Sequence, residues 1–224
     1  QVLFERVKKI FENRESENLI SEQVTLLKKE FKSFARNGAL LSEDEKLILR
    51  EIDTEKAKLS LSFGENVLAD TNDYLIHITE ESQLKGLPDQ VKEMGAEIAK
   101  SKNKTGWIFT LDYPSYVPFM TYLDNRELRR KMSLAFGQRG FRENDHNNSK
   151  IILKIIELRK KRAELLGYES HANFILAERM ASSEKNVNNF LEDLYQKALP
   201  AAKKEWEELV SYAKKNLNLD QIEK

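Results

Sequence analysis

The sequence predicts a mainly α fold: an array of amphipathic helices with a small two-stranded β patch at about 74–78 and 107–111. Three observations lead there. Apolar residues recur at three- and four-residue spacing through most of the chain, with Ser, Asn, Asp or Gly where each run starts or stops. Charged residues make up 33% of the 224, against 8 glycines and 4 prolines, a mix suited to long helices with wide solvated faces. Two short runs, Tyr74 to Ile78 and Trp107 to Leu111, are instead aromatic and β-branched, as strands are.

Taken in order, Val2, Leu3, Val7, Ile10 and Phe11 give a first helix over 2–12. A second follows Ser21, with Val24, Leu27, Phe31 and Phe34 on one face, and ends at Asn37-Gly38 as a left-handed C-terminal cap would. Ser42 with Glu45 forms a capping box for a third helix. Ile48, Ile52, Leu59, Phe63 and Val67 keep one stripe along it for about 28 residues, or roughly 42 Å. Gly64 inside that helix is expected to mark close packing against a neighbour. The two strands bracket a helical turn after Thr79 and a helix from Pro88 to about Lys102. Between Asp112 and Pro118 two prolines argue against continuous helix. Asp124 with Glu127 then reads as the acidic cap of a helix buried through Leu128, Met132 and Ala135. A polar loop, 144–149, precedes a helix on Ile151, Ile152, Ile155, Leu158, Arg162 and Leu166 that stops at Gly167. Ser170 and Ser183 open the last two, and Pro200 kinks or restarts the final one. Short polar turns and no low-complexity linker predict one helical region over 1–224.

Composition narrows function. Lys plus Arg and Asp plus Glu are equal at 37, so no global charge draws in nucleic acid or a membrane surface. With no cysteine, disulfides, thiolate metal sites and cysteine nucleophiles are excluded. There is no G-x-S-x-G elbow and no phosphate-binding glycine loop. His77, His146 and His171 lack the close-spaced pair that a catalytic zinc usually takes. They read instead as a partly buried, hydrogen-bonded strand residue, a solvated loop residue and a first-turn surface residue.

The stretch from Gly106 to Gly140 is the most distinctive part of the chain. Its pattern W-x-F-T-L-D-x-P-S-Y-x-P-F-x-x-Y-x-D-N-R-E-L-R runs from Trp107 to Arg129. It resembles the thimet oligopeptidase family of zinc metallopeptidases, and within it the bacterial peptidyl-dipeptidase (dipeptidyl carboxypeptidase) branch, and is also similar to oligopeptidase A. Supporting landmarks occur in family order: Phe34-Ala35-Arg36-Asn37-Gly38, the run from Leu59 to Leu68, Gly86-Leu87-Pro88, and the run from Ala163 to Tyr168. The likeness extends from about residue 10 to about residue 213.

The resemblance implies a largely helical wall beside a deep channel that admits short peptides, and a parent enzyme that uses zinc to hydrolyse them. Releasing C-terminal dipeptides is the expected activity, with oligopeptidase A-like endopeptidase cleavage as the alternative. The family's H-E-x-x-H helix is not in this sequence. No catalytic residue, metal ligand or cofactor is therefore expected within it, and the piece alone is expected to be inactive. Its partners would be short peptides and a catalytic domain of the same polypeptide, not nucleic acid or membrane. Neither end carries a helix start or stop signal, so both are expected to lie inside a longer chain, in the cytoplasm or alternatively the periplasm. A non-catalytic scaffold or partner-binding module is the reading from a different class.

Substrate contact falls on the stretch's own side chains. Arg126 to Arg142 holds six basic residues against Glu127. A guanidinium binds a substrate carboxylate through two parallel bonds, which nominates Arg126 and Arg139. Tyr113 and Tyr116 offer a hydroxyl on a rigid apolar body. The plainer expectation is that the arginines form an exposed face paired with Glu43, Asp44 and Glu45, and that the tyrosines glue an irregular loop.

Overall fold

The computed structural model describes residues 2–222. It is mainly α with one two-stranded sheet, and it divides into two compact units, Gln1–Lys161 and Arg162–Lys224.

In the first unit α1 (Val2–Glu12) packs on α2 (Ser21–Arg36) through phenylalanines. Phe4 is buried against Phe31 and Phe34, and Phe11 stacks on Phe31 at 4.0 Å. The buried face of α1 is thus Phe4, Val7 and Phe11. Val2, Leu3 and Ile10, expected to share that face, are exposed. The i, i+7 spacing of Phe4 and Phe11, with Val7 between them, sets the rotation of the helix. Gly38, at φ +85°, ends α2, with the Ala39 N–H donating to the Phe34 carbonyl.

The capping box holds as expected. Ser42 Oγ accepts from the Glu45 N–H, and the Glu45 carboxylate accepts from the Ser42 N–H at 2.9 Å. That carboxyl lies below its ordinary pKa, first because of the bond from the Ser42 backbone and then that from its side chain. The helix it starts, α3 (Glu43–Asp73), is 31 residues long. Gly64 has nothing within 4 Å of where a Cβ would stand, so close packing is not the reason for it.

β1 (Leu75–Ile78) pairs antiparallel with β2 (Trp107–Thr110), Ile76 opposite Phe109 and Ile78 opposite Trp107. Between them lie a 3-10 turn, Glu81–Leu84, and α4 (Asp89–Ser101), for which Pro88 is the cap residue and not the first helical one. The sheet and α4 meet α5 (Tyr113–Tyr122) and α6 (Arg126–Gly137) around one core. Ile78, Leu84, Phe109, Leu111, Phe119, Leu123 and Met132 are its most buried members.

Two local expectations fail here. Residues 113–122 are helical despite Pro114 and Pro118. Pro114 sits in the first turn, where its missing N–H would be unpaired anyway. Pro118 forfeits one bond, and burial of Phe119, tilted on Phe109 at 4.8 Å, outweighs it. The cap of α6 is Asn125, whose Oδ1 accepts from the Leu128 N–H, and not Asp124. The Asp124 backbone N–H is committed to the Lys85 carbonyl at 2.8 Å.

α7 (Ser149–Leu165) carries Leu158 and Ala163 as its buried positions and stops at Gly167, φ +79°. In the second unit Ser170 caps α8 (His171–Leu176) and Ser183 caps α9 (Glu184–Leu217), each through a bond from the residue three on. Tyr168 meets Phe174 edge-on at 5.2 Å, and Ser170 Oγ donates to Glu184 at 2.7 Å. Pro200 neither ends nor restarts α9.

Candidate functional site

The start of α5 is fixed by the end of β2. Ser115, almost fully buried, accepts the Thr110 N–H at 2.9 Å, and the Thr110 hydroxyl donates to Asp112 at 2.9 Å. Tyr113 and Tyr116, three residues apart, therefore lie on one face of the helix. That face turns to Phe136 in the last turn of α6. Tyr116 stacks on the Phe136 ring at 4.0 Å and 19°, and Tyr113 meets it edge-on at 6.0 Å.

Arg139, just past the end of α6, completes the cluster. Its guanidinium carbon lies 3.6 Å from the Phe136 ring centroid. Two groups this close cannot share one face, so Tyr116 and Arg139 sandwich the ring. Arg139 Nε donates to the Phe136 carbonyl at 2.9 Å, and Nη1 reaches the Thr71 hydroxyl at 3.4 Å. A cation over a ring and at a helix C-terminus is favourable on both counts.

Three of the four nominated residues thus converge on Phe136, while Arg126 does not. It opens α6 at the far end, ten residues or about 15 Å of helix away. Tyr113 remains 68% exposed, so its ring is the part of the cluster open to a ligand. The basic run does not simply pair with acids. Arg129 donates to the Leu123 and Asp124 carbonyls, and Arg142 donates to the Ala135 carbonyl at 3.0 Å and covers Tyr74. Burial raises the Tyr74 hydroxyl above its ordinary pKa, with Arg142 opposing.

Residues not nominated hold this arrangement. Asp70 is wholly buried near the end of α3, and its carboxylate accepts from the Gly140 N–H at 2.7 Å and from Asn144 Nδ2 at 2.8 Å. Asn148, also buried, donates from Nδ2 to the Phe63 carbonyl at 3.2 Å, accepts from Asn66 Nδ2 at 2.9 Å, and returns its N–H to the Gly140 carbonyl. Spacing offered a signal: Asp70 and Thr71 continue the stripe of Phe63 and Val67, and a carboxylate on an apolar stripe has work to do.

Two of the histidines have their own partners in the first unit. His77 hydrogen-bonds the Thr105 carbonyl at 2.7 Å from an exposed strand position, and His146 lies 3.6 Å from Asp73. Among the described residues no group of three His, Asp or Glu side chains is placed to hold a metal ion. No helix there is long and apolar enough to cross a membrane.

Residues 119–224 match the model of Peptidase family M3. Oligopeptidase A of Haemophilus influenzae is 33% identical over 204 residues, 89% of this chain and 30% of the relative. Dipeptidyl carboxypeptidase of Escherichia coli is 28% identical over 202 residues, 90% of this chain and 29% of the relative. Saccharolysin of Saccharomyces cerevisiae is 31% identical over 190 residues, 82% of this chain and 25% of the relative. Slightly less than half of the chain thus matches peptidase family M3, and most of its length is similar to these three proteins. The chain spans about 30% of the length of the oligopeptidase A relative.

Proposed function

We propose that this chain is the N-terminal, channel-forming region of a cytoplasmic zinc metallopeptidase that hydrolyses short peptides. The observation that carries the reading is the family match, continued upstream by identity over most of the chain. Zinc and the general base would be supplied by polypeptide outside these residues. The three histidines here are too scattered for that donor set, so no step of the reaction is assigned to this region. It would provide wall, size filter and the exposed ring of Tyr113, with Tyr116 and Arg139 behind it. Arg126 would be a separate contact at the other end of α6.

Release of C-terminal dipeptides is one mode of action. It requires a cation free to take the terminal carboxylate, and Arg139 already spends Nε on Phe136 and its flat face on the ring. Internal cleavage is the second mode, favoured by the higher identity to oligopeptidase A, 33% against 28%. Mass spectrometry of the products from matched peptides with free and amidated C-termini separates the two. If dipeptide release is correct, the amide is spared.

The broader reading is tested in the longer protein. Sequence beyond Lys224 should contain H-E-x-x-H; a stop codon there leaves a scaffold. Tyr113→Ala should raise KM several-fold with kcat little changed, the pattern of lost uniform binding. Unaltered KM in Tyr113→Ala, Arg126→Ala and Arg139→Ala would remove these residues from the substrate path.

A further inference from the structure

We infer that Asp70 is a positioning residue for the tyrosine–arginine cluster, acting through the Gly140 backbone to aim Arg139 across Phe136. The consequence for peptide binding rests on the reading above; the positioning itself stands on geometry. Asp70 and Thr71 are consecutive on α3, and they hold consecutive loop residues in reverse order. Asp70 takes the Gly140 N–H at 2.7 Å, and Thr71 takes Arg139 Nη1 at 3.4 Å. Thr71 is oriented in turn by donating to the Val67 carbonyl at 2.7 Å.

Helix stability does not explain this carboxylate. It lies at the C-terminal end of α3, where the helix dipole disfavours negative charge. It is also fully buried, which is costly unless the donors it meets are themselves needed. Both donors belong to the segment that joins α6 to α7. Gly140 is gripped from two sides, since its carbonyl accepts the Asn148 N–H at 2.8 Å. Its φ is +69°, and a Cβ added there would stand 2.6 Å from Asn148 Nδ2, which leaves one way for the chain to pass. With the peptide at 140 fixed, the preceding residue has little freedom, and its guanidinium is directed onto the ring.

The test exchanges the partners. Asp70→Asn keeps an acceptor for Gly140 but sets an amide NH2 against that of Asn144. Asp70→Asn with Asn144→Asp restores a donor–acceptor pair, and the new carboxylate can still take the His146 N–H that Asn144 now accepts. The Arg139 Nε–H resonance, in protein labelled with nitrogen-15, reports whether the guanidinium is held. It should be sharp and slow to exchange in the unaltered chain, broadened in Asp70→Asn, and recovered in the exchange pair. In the longer peptidase KM should rise about tenfold in Asp70→Asn at unchanged kcat, and recover in the pair. A resonance unchanged in Asp70→Asn overturns the inference. So does an exchange pair that regains the melting temperature without the resonance. If the single variant does not fold, the pair decides alone. If Arg139→Ala leaves KM unaltered, the peptide-contact reading falls, and the resonance still decides the positioning.

Discussion

A methyl group separates opposite outcomes at two glycines. Gly106 has φ +83°, and a Cβ there would stand 2.3 Å from the Ile78 carbonyl oxygen. That oxygen belongs to backbone pinned by the pairing of Ile78 with Trp107, so neither side can yield. Gly106→Ala should cost about 2 kcal/mol or more, read as a lower urea midpoint at unchanged m-value. Gly64 lies inside α3 with open space around it. There Ala restricts the unfolded chain and favours the helix, so Gly64→Ala should stabilise by about 0.5–1 kcal/mol. A midpoint that falls in Gly64→Ala would mean that something covers this face in solution.

Helix α3 depends on its first turn. Ser42→Ala removes the side-chain acceptor for the Glu45 N–H and should cost about 1 kcal/mol. Glu45 adds a pH dependence of known sign. Its carboxyl is held below its ordinary pKa in the folded chain, so its contribution is present above the unfolded value and is lost as pH falls through the folded one. Denaturation of Glu45→Gln beside the unaltered chain should show the difference narrowing on the acid side; a gap constant across the carboxylate range contradicts this. Caps of this kind are legible in sequence because cause and effect lie three residues apart. So are the stripes of α2 and α7 and the pairing of the two strands. Residues 113–122 misled because the proline penalty is local, whereas the burial of Phe119 that overrides it comes from β2 and α4. The site divides the same way. Tyr113, Tyr116 and Arg139 were visible as residue types in a short stretch. Phe136 gains its role only when α5 meets α6, and Asp70 meets its partner across 70 residues.

The two units differ in how much apolar surface they bury. The first holds a continuous core in which Leu84, Phe109, Phe119 and Met132 are fully enclosed. In the second, among the described residues, only Ala163 and Ala213 are buried hydrophobics. Along α9, Leu191, Leu194, Trp206, Leu209 and Tyr212 each keep more than half of their surface exposed. Tertiary packing of an apolar face, not intrinsic propensity, supplies most of a helix's stability, and α9 has little of it within its own unit. Its amides should therefore open through local fluctuations, while those of β2 and α5 open only with the whole core. Hydrogen exchange on this chain should give residues 184–217 protection about a hundredfold below that of residues 107–110. The proposed function adds a second expectation. If this region belongs to a longer peptidase whose other part rests on the exposed α9 face, protection there should rise towards the core value in the longer protein and stay low in this one. Equal protection of α9 in both would leave that face uncovered and weaken the case that a catalytic domain packs on it.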